Sequence, residues 1–306
     1  MPRIARTIQN EVAEPVQDEL DLNFDIPVNI VIGDVRKCLS QLPEQTFRCC
    51  VTSPPYWGLR DYGAENQIGS EITVEAYIND LTAVFREVRR VLTDDGTFWL
   101  NIGDSYTSGN RTWRGPDKKN PARGMSYRAP TPNGLKSKDL IGIPWKLAFA
   151  LQQDGWYLRS DIIWNKPNCQ PESVKDRPTR SHEYVFLLTK SEKYFYNWEA
   201  VREPTKNQKQ YRSKRTVWDV NTEPFSAAHF AVFPPGLVEP CILAGTEPGD
   251  VVLDPFFGSG TVGLVCLRTK RKCVGVELKT EYVQLAQERL RPETDLFLPR
   301  AAINVI

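Results

Sequence analysis

The chain of 306 residues is long enough to bury a full hydrophobic core, and its 41% hydrophobic and 25% charged residues are typical of a soluble globular protein. A net charge of +1 gives no argument for nucleic-acid binding from overall charge, and no apolar run approaches the roughly 18 residues that a membrane span needs. Seven scattered cysteines without a C-x-x-C pair, beside only two histidines, indicate a reduced cytoplasmic protein with no metal site or disulfide framework.

Buried strands and amphipathic helices alternate along the first hundred residues, after a polar, acidic segment at residues 1–25 that predicts a flexible tail. The predicted strands cover residues 28–34, 47–52 and 97–104, and the predicted helices cover residues 35–41 and 71–92. Asp95-Gly96 is expected to end the second helix. This alternation indicates a parallel sheet whose strands are joined by crossover helices.

Two segments interrupt the pattern and concentrate positive charge. Residues 105–138 are rich in Gly, Pro, Ser and Asn, lack apolar periodicity and carry eight cations against the single acidic residue Asp117. A second basic stretch covers residues 201–215. Loops this long inside a compact domain are usually functional or disordered.

Regular elements return in the second half of the chain. The predicted helices cover residues 144–154, 235–244, 261–269 and 281–290, and the predicted strands cover residues 157–164, 183–189, 251–254 and 273–277. The first two of these strands are expected to pair with each other in a hairpin-like arrangement.

The most distinctive local motif is T-S-P-P-Y-W at residues 52–57, where a strand end meets a tight turn. Two prolines fix φ and remove two backbone donors, so the carbonyls before and between them stay available as acceptors. The hydroxyl of Ser53 precedes these carbonyls, and the rings of Tyr56 and Trp57 follow them. Acceptors beside an aromatic platform suit a flat ring that bears an exocyclic amine. A Pro-Pro turn capped by packed aromatic residues is the structural alternative.

A second motif, D-P-F-F-G-S-G-T at residues 254–261, follows a predicted buried strand and opens a helix. This is the strand–glycine loop–helix arrangement of nucleotide-binding α/β sheets, in which glycines let the backbone approach a ligand closely. No lysine follows Gly260, so a triphosphate site is poorly supported. Glu277 ends the next strand, where a carboxylate receives ribose hydroxyls, and Asp254 can receive an ammonium group. Together the carboxylates of Asp254 and Glu277 fit a nucleoside that carries an amino-acid tail better than they fit a pyrophosphate.

Together the two motifs resemble the signature motifs of S-adenosylmethionine-dependent DNA amino-methyltransferases, over residues 28–290. The S-P-P-Y motif precedes the glycine motif by about two hundred residues, which resembles the permuted beta group of that family. The resemblance implies an α/β fold with a doubly wound, mostly parallel, Rossmann-like methyltransferase sheet, circularly permuted motif order and inserted DNA-binding loops. It implies S-adenosylmethionine as the cofactor and double-stranded DNA as the partner.

The resemblance also assigns roles to residues. Catalysis falls to Ser53, Pro54, Pro55 and Tyr56. Cofactor contacts fall to Asp34, Thr52, Phe233, Pro234, Leu237, Asp254, Phe256, Gly258, Ser259, Gly260, Thr261 and Glu277. For Asp34, a plain helix N-cap is the competing interpretation. The segment I-W-N-K-P-N at residues 163–168 is similar to one that borders the base pocket, although Trp164 also suits a core position.

DNA contacts are expected from Trp57 and from the cations of the two basic segments, because a duplex base must be extruded while the backbone is held. The predicted cations are Arg111, Arg114, Lys118, Lys119, Arg123, Arg128, Lys206, Lys209, Arg212, Lys214 and Arg215. Ser53 Oγ and the Pro54 carbonyl are expected to accept the two N–H bonds of the target amine, and Tyr56 to stack on the base. No strong general base is needed, because the methylated ammonium-like product loses its proton readily.

The predicted organisation has seven segments. They are the tail 1–25, a catalytic half at 26–104, a basic loop at 105–140, the rest of the catalytic half at 141–198, a target-recognition segment at 199–226, a cofactor-binding half at 227–293 and a C-terminal tail at 294–306.

The expected reaction is site-specific methylation of an exocyclic amine in DNA, and Ser53 favours N4 of cytosine, since serine at this position accompanies cytosine in the family. The alternatives are an adenine N6 enzyme, an RNA or protein amino-methyltransferase on the same fold, a DNA-binding module without activity and a dinucleotide-dependent oxidoreductase. The family also implies a bacterial or phage-infected host cytoplasm, a monomer or homodimer, and a cognate restriction endonuclease as a possible partner.

Overall fold

The structure, a computed structural model, describes residues 20–59, 67–107, 113, 130–205, 210–223, 232–297 and 303–306. Its main sheet has nine strands in the order β11-β1-β10-β9-β2-β3-β5-β4-β8. In chain order these are β1 Val28–Ile32, β2 Phe47–Thr52, β3 Leu92–Ile102, β4 Tyr157–Asn165, β5 His182–Thr189, β8 Val217–Asp219, β9 Val251–Asp254, β10 Lys272–Glu277 and β11 Ile303–Val305. A separate two-stranded sheet pairs β6 Glu203–Pro204 with β7 Tyr211–Arg212.

Seven helices cover the two faces of the main sheet within the described residues. They are α1 Val35–Ser40, α2 Val74–Val91, α3 Ile143–Gln153, α4 Trp198–Val201, α5 Pro235–Gly245, α6 Thr261–Arg268 and α7 Thr280–Phe297. The first three pack against one hydrophobic core and the last four against another. Both faces of the sheet are therefore buried, as in doubly wound α/β proteins.

The sheet is mostly parallel, as the sequence predicts. Only β5 runs against its neighbours, pairing antiparallel with β3 on one side and β4 on the other. The expected pairing of the strands near residues 157–164 and 183–189 is thus confirmed. No helix in the described part of the chain combines the length and apolar character needed to cross a membrane.

Two boundaries differ from the sequence prediction. Helix α2 ends at Val91, before Asp95-Gly96, and β3 begins at once because the Leu92 backbone is already extended and pairs with Phe47. At the C-terminus, where the sequence predicts a tail after residue 293, α7 continues to Phe297 and β11 adds a parallel edge strand beside β1. A three-residue strand has too few positions to show an alternating pattern, so β11 leaves no signal in the sequence.

The second phenylalanine of the glycine motif is a core residue. Phe257 is buried and lies against three glycines, and a Cβ added at Gly275 would stand 2.2 Å from its ring. The Phe257 backbone N–H also donates to Val276 O at 2.9 Å. The glycine loop is therefore fixed to strand β10 by packing and by a backbone hydrogen bond.

We expect Gly275→Ala to lower the free energy of unfolding by about 1–3 kcal/mol, because the Phe257 ring must leave its rotamer. Gly236→Ala is the matched control, since its new Cβ would find its nearest neighbour at 3.6 Å. Urea denaturation of both variants measures the effect. Equal stability of the two variants would contradict this packing argument.

Candidate active site

The two sequence motifs meet at one edge of the sheet. Strands β2 and β9 are parallel neighbours, with Cys49 opposite Val252 and Cys50 opposite Leu253, so their carboxyl ends lie side by side. Thr52 at the end of β2 donates from Oγ1 to Asp254 Oδ1 at 2.6 Å, and both side chains are buried. The motifs are 202 residues apart in sequence but joined by this hydrogen bond.

The strand order reverses at the same place. From β9 the chain passes through α6 to β10, toward one edge of the sheet, whereas from β2 it passes through α2 to β3, toward the other edge. In open α/β sheets ligands bind outside the carboxyl ends of the strands at such a switch point. The position of the two motifs therefore marks the candidate binding crevice.

The two proline carbonyls of the diproline turn differ in their hydrogen bonds. Pro54 is buried and Ser53 is half-buried. The Pro55 carbonyl accepts a hydrogen bond from Tyr77 Oη at 2.8 Å, which fixes the turn to helix α2. No backbone N–H among the described residues bonds the Pro54 carbonyl. Pro54 O is thus a carbonyl of this turn that a ligand can use, and Ser53 Oγ, which lies within hydrogen-bond reach of the Tyr56 hydroxyl, keeps lone pairs for a ligand donor.

Tyr56 is half-buried and its hydroxyl donates to Glu183 Oε2 at 2.8 Å. Burial raises the pKa of the Tyr56 phenol well above its usual range, and the Glu183 carboxylate adds to the shift, so the phenol stays protonated and acts as a donor. Glu183 also pairs with Lys166, and the Asn101 amide lies 3.4 Å from both Glu183 Oε2 and Tyr56 Oη. Sequence patterns do not reveal Glu183 and Asn101, because nothing local shows that β5 reaches the diproline turn.

Trp57 is buried in this structure, and its contact with DNA stays a prediction. Its side chain is only 7% exposed, belongs to the hydrophobic core and donates from Nε1 to Glu71 O at 2.9 Å. Trp164 is likewise a core residue, 3% exposed, with its Nε1 bonded to Val220 O. Both rings serve packing, because a large apolar side chain is buried when a neighbouring element covers it.

Asp254 is the most perturbed acid of the site. It is 1% exposed, and burial raises its pKa to about 7 although Thr52 and the Phe256 N–H stabilise the charged form. Its Oδ1 accepts both of those hydrogen bonds, whereas no described residue bonds its buried Oδ2. A buried carboxylate oxygen without a partner is costly in isolation and suits a cationic ligand group.

Glu277, at the end of β10, anchors the glycine loop. Its Oε2 accepts from Gly258 N at 2.8 Å and its Oε1 from Lys279 N at 2.9 Å. Burial raises the pKa of this carboxyl, and the backbone donors oppose the shift. Each oxygen keeps a lone pair for a further donor such as a ribose hydroxyl. Gly258, at φ 52°, adopts the left-handed conformation that the tight loop requires.

The hydroxyls of the loop face helix α7 instead of the crevice. Arg289 Nη1 donates to Ser259 Oγ at 3.0 Å and to Thr261 Oγ1 at 2.8 Å, and both residues are buried. Gly260, at φ 77°, caps helix α6, and its missing Cβ leaves room for Ala286. Phe256 is half-buried beside Phe85. These residues shape the loop, and any cofactor contact through Ser259 or Thr261 hydroxyls would compete with Arg289.

The other predicted cofactor residues lie around the same edge. Asp34 is the N-cap of α1 and pairs with Arg36, whose N–H groups occupy both carboxylate oxygens and lower the Asp34 pKa. The N-cap interpretation is therefore confirmed, and an adenine contact by Asp34 stays a prediction. Phe233 packs on the second core, Pro234 caps α5 and Leu237 is buried.

Most of the predicted DNA-binding cations lie outside the described residues. They are Arg111, Arg114, Lys118, Lys119, Arg123, Arg128, Lys206 and Lys209. Of the others, Arg212 and Arg215 both donate from Nε to Glu203 Oε1 at 2.9 Å, and Lys214 lies 4.9 Å from the Trp218 ring centroid. In the described segments no three His, Cys, Asp or Glu side chains converge to hold a metal ion.

The family model and the similar proteins that match this chain are all DNA methyltransferases. A family model described as DNA methylase, N6_N4_Mtase, matches residues 47–288. The Type II methyltransferase M.SmaI of Serratia marcescens is 63% identical over 262 residues, which cover 85% of this chain and 90% of that protein. M.Cfr9I of Citrobacter freundii, also a Type II methyltransferase, is 66% identical over 261 residues, covering 85% and 87%.

Solved structures show the same fold. TTHA0409 of Thermus thermophilus, in complex with S-adenosyl-L-methionine, superposes with a TM-score of 0.62 and 26% identity, covering 91% of this chain and 97% of that one. The cytosine-N4-specific PvuII DNA methyltransferase gives a TM-score of 0.65 at 21% identity, with the same coverage of 91% and 97%.

The raised pKa of Asp254 makes a prediction about stability. The native state keeps the Asp254 proton up to about pH 7, whereas the unfolded chain loses it near 3.8. This contribution to stability is fully present below about pH 4 and is lost as pH rises to about 7. In urea denaturation without ligand, the stability of the wild type relative to Asp254→Asn should fall between about pH 4 and pH 7. A difference that is constant with pH would show that Asp254 titrates normally.

Proposed function

Because this chain belongs to the N6_N4_Mtase family of DNA methylases, we propose that it methylates the exocyclic N4 amine of cytosine in DNA. The family and its close relatives make it an S-adenosylmethionine-dependent DNA amino-methyltransferase. The choice of N4 of cytosine over N6 of adenine is the proposed part.

The observation that carries the choice is Ser53 at the first position of the diproline motif. It directly follows β2, next to the Thr52–Asp254 hydrogen bond and before the Pro54 carbonyl. In the family this motif resembles, serine at that position accompanies cytosine and aspartate accompanies adenine. The neutral Ser53 hydroxyl can accept one N–H of the cytosine amine, whereas an aspartate at this position would place a negative charge beside that amine.

The residues around Asp254 and Glu277 fit S-adenosylmethionine. The unpartnered, buried Asp254 Oδ2 suits the ammonium of the amino-acid part, and the remaining lone pairs of Glu277 suit the ribose hydroxyls. When bound, the cofactor supplies an electrophilic methyl group on a sulfonium. The ionised form of Asp254 is the one that pairs with a cation, so its raised pKa should weaken cofactor binding below about pH 7.

The chain's own contribution to chemistry is positioning. Ser53 Oγ and Pro54 O accept the two N–H bonds of the amine, which makes its nitrogen more tetrahedral and directs the lone pair away from the ring. Tyr56 stacks on the extruded base. No side chain has to remove a proton before transfer, because the methylated amine is acidic and releases a proton readily. Holding two bound reactants in line supplies the rest of the rate.

DNA is held, in this proposal, by the two basic segments at residues 105–138 and 201–215. Their cations supply phosphate contacts that set affinity, while side chains that reach base edges set the recognised sequence. Segment 105–138 leaves the sheet after β3, at the same edge as Ser53, which supports this assignment. The relatives are named Type II methyltransferases, from which we propose a cognate restriction endonuclease and a cytoplasmic location.

The decisive experiment identifies the methylated nucleoside. DNA amplified in vitro, which carries no methyl groups, is incubated with the protein and with S-adenosylmethionine bearing a deuterated methyl. The DNA is then digested to nucleosides for chromatography and mass spectrometry. We expect labelled N4-methyldeoxycytidine, separated chromatographically from the C5-methyl isomer of equal mass. Labelled N6-methyldeoxyadenosine would overturn the choice of base.

Ser53→Ala should reduce labelled product by about 10- to 100-fold, since one hydrogen bond to the reacting amine is lost. Ser40→Ala is the matched control, because Ser40 is exposed at the end of α1. An unchanged rate in Ser53→Ala would remove Ser53 from the catalytic site.

A further inference from the structure

A charged cluster lies behind the aromatic ring of the diproline motif. Tyr56 Oη donates to Glu183 Oε2 at 2.8 Å, and Glu183 Oε1 forms an ion pair with Lys166. The side chains of Lys166 and Glu183 are 17% and 18% exposed, so both charges are largely removed from water. These three residues come from three elements that are distant in sequence: the turn after β2, the end of β4 and the start of β5.

Further contacts fix the geometry of Glu183. Asn101 on β3 donates from Nδ2 to Tyr184 O at 3.1 Å and lies 3.4 Å from Glu183 Oε2. Lys166 Nζ also lies 4.1 Å from the centroid of the Trp164 ring, whose indole is buried. The carboxylate therefore has a partner on each oxygen, as a buried charge requires.

Gly103 makes the approach of Tyr56 and Glu183 possible. A Cβ at this position would stand 2.7 Å from Tyr56 Cε2 and 3.3 Å from Glu183 Cδ. Gly103 directly follows β3, so the backbone itself forms one wall of the space that holds the tyrosine ring. The ring is confined on this side by backbone and at its far end by Glu183.

Stability alone does not explain the Lys166–Glu183 ion pair. A buried pair offers little net stabilisation over apolar residues of similar volume, because both charges lose hydration. What the pair does supply is a fixed acceptor at the far end of the Tyr56 ring. A phenol bonded at its tip cannot swing or tilt freely about its side-chain torsions, whereas an unbonded ring on a turn can.

We propose that Glu183, held in place by Lys166, is a positioning residue that fixes the Tyr56 ring in the orientation needed to stack on the extruded base. The proposal rests on the proposed function, in which Tyr56 contacts the base. Glu183 itself does not touch the base or the cofactor. Its effect passes through the hydrogen bond to the Tyr56 hydroxyl.

The central test uses Tyr56→Phe, Glu183→Ala and the double variant. Tyr56→Phe keeps the ring and leaves the Glu183–Lys166 pair intact, so it removes the anchor with the least disturbance. The measurement is the single-turnover rate of labelled methyl transfer to DNA amplified in vitro. We expect each single variant to lose about tenfold and the double variant to be no slower than the slower single variant, because both changes break one interaction.

Two further readouts separate positioning from a merely structural role. Glu183→Gln keeps an acceptor for the phenol and should retain most of the wild-type rate. The dissociation constant of S-adenosylmethionine should stay within about twofold of the wild type in Tyr56→Phe, because the two carboxylates proposed to hold the cofactor, Asp254 and Glu277, lie at the ends of β9 and β10. A wild-type rate in Tyr56→Phe, or losses that multiply in the double variant, would overturn the proposal.

Tyr56→Ala distinguishes this proposal from the proposed function. If Tyr56→Ala is slow and Tyr56→Phe is as fast as the wild type, the ring acts without its anchor and only the role of Glu183 fails. If Tyr56→Ala also methylates DNA at the wild-type rate, Tyr56 does not contact the base and the site assignment itself fails. Should Glu183→Ala not fold, Tyr56→Phe and Glu183→Gln still decide the question.

Discussion

The hydrogen bond from Thr52 to Asp254 is the interaction on which the site depends. It joins the ends of two parallel strands that are neighbours in the sheet but come from opposite ends of the sequence. Because the strand order reverses between them, helices diverge to opposite faces and leave a crevice at the carboxyl edge. The diproline turn and the glycine loop can share that crevice only while β2 and β9 stay paired. Burial raises the pKa of Asp254, and the hydrogen bond from Thr52 opposes that rise.

Packing behind the two loops holds them in place. Three contacts hold the glycine loop: Phe257 packs against Gly275, Arg289 donates to the Thr261 hydroxyl, and Glu277 accepts from Gly258 N. The diproline turn is fixed by the Tyr77–Pro55 hydrogen bond and by the contact of Tyr56 with Glu183. In both loops the groups left available to a ligand are few: Asp254 Oδ2 on one side, and Ser53 Oγ with Pro54 O on the other. Reactants placed by rigid groups of this kind need little further chemistry from the protein.

The sequence predicts those parts of the fold that have a local cause. Pro54 and Pro55 fix the turn that they form, and Gly258 and Gly260 adopt positive φ angles. The apolar runs around Cys50 and Leu253 indicate buried strands. Features that depend on distant partners were not predictable. Trp57 is buried because the segment at Glu71 covers it, and β11 exists because β1 offers it an edge. Glu183 reaches Tyr56 only through the pairing of β5 with β3. Sequence spacing does not encode such contacts, so each needs the assembled sheet.

The most direct test of the account measures S-adenosylmethionine binding and single-turnover methyl transfer in Thr52→Val and Thr52→Ser at about pH 8. Thr52→Val removes the hydroxyl with little change in volume, whereas Thr52→Ser keeps it. Loss of a hydrogen bond to a buried carboxylate should weaken cofactor binding and slow transfer by about tenfold or more in the valine variant, with the serine variant close to the wild type. If Thr52→Val binds the cofactor and methylates DNA as the wild type does, the two motifs do not act through a shared edge.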